Sequence, residues 1–405
     1  MRTVIGIDVS KASSQVAVLV DGQLSQRIKI DNNQIGFQEL EHLIQTATGS
    51  VEIVFEATGV YSRRLQSFLE QHTYPYCRLN PLAAKKDMDR LRPNKNDIND
   101  AIGLAQCQYE LNYLRTYVEA PVYQELQIMS RHYQQVNDDL VRGKNRLHKA
   151  LQMTFPELEG LLSTTDGDQY WALVAQFPHA DLVLQHKVEV LATTILSSTK
   201  RNMSAKRAND LAIKLFKLAH LTAATVSTNS YEVEVIHKLA TQLMSLHHEK
   251  REIIDRMVKL CEPLPEYRIL MSIPGFAETT SVSLIGELGD IRRFKTANKL
   301  NAFIGIDLRF NDSGNYKSNG FITKRGNHLA RKILFKAIGN MASSATHNHP
   351  SHINDWYQKR KRSLSSKGTK KITIGAMDRL ISTIHHLVLT NQTYDYTVAT
   401  THQHN

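Results

Sequence analysis

Three strand-length apolar runs open the chain: residues 3–9 (TVIGIDV), 14–20 (SQVAVLV) and 24–30 (LSQRIKI). Short turns separate them, KAS in one gap and DG followed by Gln23 in the other. Asp21-Gly22 is a strong hairpin signal, since a two-residue turn needs left-handed backbone that Asp tolerates and Gly adopts freely. The period then changes. From Gln34 to about Thr46 the apolar Phe37, Leu40, Leu43 and Ile44 recur at helical spacing. SVEIVFEATG returns to a strand that ends on Glu56, and a helix is predicted from about Val60 to Gln71. YPYCRLN is a fifth short strand, and a further helix covers about Asn96 to Leu114. The order βββαβαβα predicts a five-stranded mixed sheet with helices on its faces.

Farther on, the pattern is helical. From Val122 to about Phe155 a highly charged run carries Leu126, Met129, Tyr133, Val136, Leu140, Leu147 and Leu151. Residues 229–262 repeat the style with Val233, Ile236, Leu239, Leu243, Leu246, Ile253, Met257 and Leu260. Steps of three, four and seven predict two long helices pairing as an antiparallel coiled coil or stalk. Residues 156–225 between them read as a small helical insert. At Leu264 begins LPEYRILMSIPGFAETTSVSLIGELGDIRRF. Its helix, Ile-Pro-Gly-Phe turn and helix predict a helix-hairpin-helix-like element, in which backbone N–H groups at the turn can hold a phosphate. The final TYDYTVATTHQHN reads as a disordered tail. The expected organisation is an α/β domain at 1–117 and a coiled-coil or helical region at 118–262 that includes the insert. A mainly α C-terminal domain at 263–392 and a tail at 393–405 follow.

At 405 residues the chain is long enough for more than one core, since a single core rarely grows past ~250–300 residues. Its 41% hydrophobic and 22% charged residues are ordinary for a soluble protein. No window offers the ~20 unbroken apolar residues of a membrane span. The first apolar run is too short for a signal peptide and contains Asp8. Cys77, Cys107 and Cys261 are odd in number and far apart. They argue against a disulfide framework or a zinc knuckle and fit a reduced, cytoplasmic compartment. Charge changes the picture more. The net charge is +11, and between Lys317 and Lys371 thirteen Lys and Arg residues stand against one acid, Asp355. A basic block of that size inside a folded region predicts a polyanionic partner.

The candidate chemistry begins with acids. Asp8 ends the first strand, Glu56 ends the fourth, and strands 1 and 4 are neighbours in the predicted sheet. Asp97 and Asp100, in NKNDINDAIGLA, lie at i and i+3 on one side of a helix. Taken singly, each has a plain structural reading, Asp8 as a strand cap and Asp97 as a helix N-cap. Four carboxylates brought together repel and coexist ionised only with cations. Oxygen-only ligation suits Mg²⁺ or Mn²⁺, and two such ions about 3.5–4 Å apart could clamp a scissile phosphate. His347, His349 and His352, in HNHPSH, cluster like ligands but read as a polar loop in a Pro-containing basic stretch.

GIDVSK, FEATGVY and KNDINDAIGLA together resemble the bacterial insertion-sequence transposases with a DEDD catalytic domain of the Holliday-junction-resolvase type, RuvC-like and RNase H-like in fold. The run IPGF…GELGDIRRFKTANKLNAFIGIDLRFNDSGNYKSNGFITKRGNHLARKIL resembles that family's C-terminal transposase domain. The resemblance implies that Asp8, Glu56, Asp97 and Asp100 fill four metal-binding positions, with Mg²⁺ or Mn²⁺ as cofactor. It implies that Ser313, in NDSGNYKSNG, is the nucleophile of strand cleavage and transfer through a phosphoserine link. It also implies donor and target DNA as partners, a structured noncoding guide (bridge) RNA, and a homo-oligomer, dimer or tetramer. Gly314 would let backbone approach a phosphate, and Lys317, Lys324 and Arg325 could neutralise it. With Arg331 and Lys332, these basic residues are the candidate nucleic-acid contacts. Tyr316 and Ser318 are rival nucleophiles nearby, and without the surrounding match Ser313-Gly314 reads as a turn.

Other functions fit less of the chain. A structure-specific DNA nuclease of the Holliday-junction-resolvase kind, with water as nucleophile, uses the acids but has no need of the Ser-Gly and the basic helix. A sugar or acetate kinase of the actin-like fold also opens with a strand and an Asp. It wants a Gly- and Thr/Ser-rich phosphate turn where this chain has VSKAS. A catalytically inactive nucleic-acid-binding scaffold has no use for the acids.

Overall fold

The computed structural model describes residues 1–91, 97–199, 202–309, 321–363 and 368–401. The chain forms two compact units, Met1–Val118 and Glu119–Asn405. The first contains, in order, β1 (Arg2–Val9), β2 (Ser13–Val20), β3 (Gln23–Asp31), α1 (Gln34–Thr46), β4 (Ser50–Glu56), α2 (Ser62–Gln71), β5 (Tyr76–Leu79), α3 (Pro81–Leu91) and α4 (Asp97–Leu111). The strands form one sheet in the order β3-β2-β1-β4-β5. β1 pairs antiparallel with β2 and parallel with β4, and β4 pairs parallel with β5. At the β2–β3 hairpin both Asp21 and Gly22 have positive φ, 46° and 83°, the turn their sequence favours. Strand alternation divides the apolar side chains between two layers. Ile5, Ile7, Ile53 and Phe55 pack with Leu40, Leu43, Leu65 and Leu69 of α1 and α2. Val4, Leu19, Val54 and Cys77 pack with Ala84, Leu104 and Ala105 of α3 and α4. Helix α3 was not predicted; its PLAAKKDMDRL offers too few apolar positions to show a period.

The second unit is mainly helical. It begins with α5 (Pro121–Leu151), α6 (Asp168–Gln176), α7 (Ala180–Leu184), α8 (Val188–Ser197), α9 (Ala205–Leu221) and α10 (Tyr231–Cys261). Then follow α11 (Pro265–Met271), α12 (Glu278–Leu288), α13 (Ala297–Ile304), β6 (Leu308–Arg309), β7 (Phe321–Ile322), α14 (His328–Ala345), α15 (His352–Ser363), α16 (Thr369–Thr390) and α17 (Tyr396–Thr401). Helices α5 and α10 run antiparallel, with Gly143 against Leu243 and Asn137 bonded to Lys250. They are not a free stalk. Leu126, Met129 and Tyr133 join Ile254 and Met257 in a core shared with α11–α16. Leu140, Leu147 and Leu151 join Ile236 and Leu243 in a second core, around Trp171 and Phe155. The expected division at 262/263 therefore does not separate two compact bodies, because residues on both sides of it share one core.

The helix, turn and helix at IPGF form as α11 and α12, with Gly275 at φ 86°. A Cβ there would lie 2.6 Å from Met341 N, so the backbone of α14 presses on the turn and glycine admits it. The tail expected to be disordered is held as far as Thr401. Tyr394 N–H donates to Ser272 Oγ at 2.8 Å, and its hydroxyl accepts from His352 N–H at 3.1 Å. His347 and His349 are exposed beyond α14, whereas His352 opens α15 half-buried, its ring stacked on Tyr394. Among the described residues no helix is long and apolar enough to cross a membrane.

Candidate active site

Glu52 and Glu56 share one face of β4, and the fold treats them oppositely. Arg2 grips Glu52 through Nε and Nη2 at 2.8 and 2.9 Å, and Gln108 Nε2 adds a third bond at 2.7 Å. The Arg2 bonds hold the Glu52 carboxyl below its usual range. Glu56 has no cationic partner among the described residues. Burial, and then the negative charge of Asp100, push its carboxyl above the usual range. A half-buried carboxylate facing another carboxylate is unfavourable until a cation joins them.

The next acid comes from β1. The parallel register Ile7↔Phe55 leads directly to Asp8 beside Glu56. Both stand at the C-terminal ends of neighbouring parallel strands, where open α/β sheets present their ligands. Alternation turns them toward the layer of α3 and α4, with Val4 and Val54. Helix α4 runs antiparallel to β1. Arg2 donates to Tyr109 O and Gln108 O, at 2.8 and 3.2 Å, near the end of α4, while Gly6 lies under Ala101 and Ala105. A Cβ on Gly6 would sit 2.2 Å from Ala101 O and 2.7 Å from Ala105 N. Only glycine permits that approach. Asp8 is two residues farther along β1, about 6.6 Å, which brings it level with the first turn of α4, about 6 Å back from Ala101. That turn carries Asp97 and Asp100. Asp8, Glu56 and Asp100 are each half-buried. Asp97 opens α4, and its side chain lies outside the described residues.

The fold thus sets Glu56 against Asp100 and Asp8 alongside Glu56. Among the described residues, no group of three or more His, Cys, Asp or Glu side chains is placed to hold a metal ion. The chemistry of the set still fits a hard divalent cation: its donors are all oxygen, and Asp100 raises its neighbour's pKa.

Ser313 and Lys317, with Tyr316 and Ser318, lie outside the described residues. On either side of them β6 and β7 pair antiparallel, Leu308↔Ile322 and Arg309↔Phe321. The chain after β7 is firmly anchored. Thr323 N–H donates to Asp307 O, Lys324 N–H to Gly305 O and Asn327 N–H to Phe303 O, at 3.0, 3.0 and 2.8 Å. Lys324 adopts φ 56°, uncommon for a residue with a Cβ. Asn327 caps α14 by accepting from Leu329 and Ala330 N–H, and its Nδ2 donates to Glu287 Oε2 at 2.8 Å. Glu287 is fully buried on α12 and also receives Ser130 Oγ. Lys324, Arg325 and Lys332 are exposed. Arg331 is half-buried, and its Nη1 donates to Ile304 O at 2.6 Å at the end of α13.

Sequence reasoning missed Gly6 and the Glu287–Asn327 pair. A glycine inside a strand is the signal for the first. An Asn before HLARKIL signals the cap, but nothing local pairs it with a carboxylate forty residues earlier.

Two family models match. A transposase model, the DEDD domain of IS110 elements, covers residues 5–156, and the transposase IS116/IS110/IS902 family covers residues 267–357. The first spans all four acids, and the second spans β6, β7 and α14. The chain belongs to the IS110/IS116/IS902 transposase family. This IS110-type chain is 30% identical over 100 residues to the transposase for insertion sequence element IS1111A of Coxiella burnetii (strain RSA 493 / Nine Mile phase I), a match spanning 25% of this chain and 28% of that protein. It is 23% identical over 403 residues to the pilin gene-inverting protein of Moraxella lacunata, covering 97% of this chain and 98% of that one. An uncharacterized 43.6 kDa protein of insertion element IS110 from Streptomyces coelicolor (strain ATCC BAA-471 / A3(2) / M145) is 21% identical over 243 residues, 60% and 59% of the two chains.

Proposed function

We propose that this IS110-type chain is the DNA transposase or recombinase of an insertion sequence. Its cutting and rejoining centre is built from Asp8, Glu56, Asp97 and Asp100 on an RNase H-like domain, with Ser313 as nucleophile. One observation carries the reading. Glu56 is held half-buried against Asp100, while Glu52 on the same strand face is neutralised by Arg2. Carboxyls raised by burial and a like charge cluster at functional sites. Mg²⁺ or Mn²⁺ held by the four acids would supply polarisation of the scissile phosphate.

The chain's own residues divide the remaining work. β1, β4 and α4 fix the acids, and the Asn327–Glu287 bond fixes the chain that follows the serine segment. The Ser313 hydroxyl gives up its proton, bonds to phosphorus and displaces a deoxyribose oxygen, which leaves as a hydroxyl. The phosphoserine link conserves the bond energy for rejoining. Relatives named as an insertion-sequence transposase and a pilin gene-inverting protein support DNA rearrangement as the outcome. Lys317, Lys324, Arg325 and Lys332 contact the nucleic-acid backbone. A structured noncoding RNA encoded by the element pairs with donor and target DNA and chooses the sites. A dimer or tetramer in the cytoplasm brings the ends together.

Substitution tests the acids. Asp8→Asn and Asp100→Asn should each abolish cleavage of labelled donor DNA while leaving thermal unfolding cooperative, and cleavage should require Mg²⁺ or Mn²⁺. Full cleavage in excess chelator contradicts the reading.

A further inference from the structure

Trp356 lies half-buried on α15, and the fold makes room for it. Gly375 on α16 faces the indole so closely that a Cβ would sit 2.7 Å from its Cη2. Two arginines share the ring. Arg379, one helical turn past Gly375, places Cζ 4.6 Å from the ring centroid, and Arg360, one turn past Trp356, places Cζ 5.7 Å from it. Both arginines are exposed, and neither has a carboxylate ion-pair partner among the described residues. Their guanidinium carbons are therefore at most about 10 Å apart, two like charges gathered on one aromatic group.

We propose that Trp356, Arg360 and Arg379 form a binding site for a backbone phosphate of duplex nucleic acid, an assignment that rests on the recombinase reading. Stacking on the indole occupies a guanidinium's flat face and leaves its N–H edge for a ligand, the geometry that suits phosphate oxygens. The ring itself is committed to Gly375 and the arginines, so the site reads backbone rather than bases. A cleft of about 470 Å³ adjoins it, with Ser382 and Thr383 in its wall. Asp378 also lines that cleft, and its carboxylate is engaged by Asn301 Nδ2. Exposed Lys359, Lys361 and Arg362 extend the positive surface along α15, as successive phosphates require and a lone anion does not. His352, at the start of α15 and held by Tyr394, borders the cleft.

The test uses the full chain, random-sequence duplex DNA and duplex RNA, and affinity measured across a salt series. Each neutralised phosphate contributes about 0.9 to the slope of log affinity against log salt on duplex DNA. Arg360→Gln, at an exposed position, should lower the slope by about that amount with an unchanged unfolding midpoint. Arg379→Gln should do the same, and the double variant should lose no more than either single one, because one phosphate is shared. Gly375→Ala keeps every charge yet displaces the indole, and should lose the same increment. Loss on DNA, on RNA or on both supports the site and identifies the strand that occupies it. Unchanged slopes on both duplexes leave only a cation–π clamp between helices and overturn the site, as does an additive double variant. A wild-type chain that binds neither duplex overturns the recombinase reading and the site with it.

Discussion

Gly6→Ala tests whether the packing of α4 fixes the acids. The substitution adds one carbon where Ala101 O lies 2.2 Å and Ala105 N 2.7 Å away. Both are helix backbone atoms, so no side-chain rotation relieves the contact. Ordinary contact begins at 3.4 Å, and the difference from 2.2 Å, about 1.2 Å, is the distance α4 must rise from the sheet. Overpacking costs about 1–3 kcal/mol, and backbone against backbone belongs at the upper end, ~3 kcal/mol. A domain stable by ~5–15 kcal/mol survives that loss. The first turn of α4 moves with the rest of the helix, and carries Asp97 and Asp100 away from Asp8 and Glu56. Metal–oxygen distances tolerate about 0.2 Å, and a misplacement of about 1 Å in catalytic geometry costs roughly 100-fold in rate. The assay compares thermal unfolding, the rise in midpoint with Mn²⁺, and, below the variant's unfolding range, cleavage of labelled DNA with the proposed guide RNA. A folded variant should lose most of the Mn²⁺ response and about 100-fold in cleavage. Wild-type cleavage and wild-type Mn²⁺ response in a measurably destabilised variant would refute the argument.

Glu56 makes the metal-free fold pH-dependent. Its folded pKa is raised by burial and by Asp100, so the folded state keeps a proton that the unfolded chain releases. Stability should fall as pH rises from the ordinary glutamate value through the raised one. In chelator, Glu56→Gln should remove the limb that falls as pH rises above the ordinary glutamate value; an unchanged pH profile counts against the Glu56–Asp100 pairing. Charge reversal at Lys324 and Arg325 should reduce the salt slope of nucleic-acid binding by roughly 0.7–0.9 per lost phosphate contact. A slope equal to wild type removes these residues from the interface.

The first unit was readable because its signals are local. Alternation fixes β1, β2 and β4, Asp21-Gly22 fixes the hairpin, and strand order follows once a helix separates β3 from β4. Glu56 and Asp8 could be placed at strand ends for the same reason. The distinction between Glu52 and Glu56 could not, since it depends on Arg2 and Gln108 reaching one and Asp100 facing the other. In the second unit the seams of α5 and α10 are periodic, and their pairing was expected from them. Which core each half enters is a tertiary matter that period does not encode. The tail misled because it is polar; Tyr394 is held by Ser272 and His352, far back in the chain. Arg331 likewise looks like any surface cation until Ile304 O is found beside it.

On the proposed function a serine of this chain, not water, attacks the DNA backbone. Labelled donor DNA incubated with the full chain, the proposed guide RNA and Mg²⁺ should give a protein-linked species that survives denaturation. Ser313→Ala should remove it and leave nucleic-acid binding nearly unchanged, since one hydroxyl contributes only about 1 kcal/mol to such an interface. Persistence of the adduct in Ser313→Ala, with loss in Ser318→Ala or Tyr316→Phe, would move the nucleophile to that residue. Cleavage with no adduct at any stage would rule out a serine nucleophile and make the protein a hydrolytic nuclease.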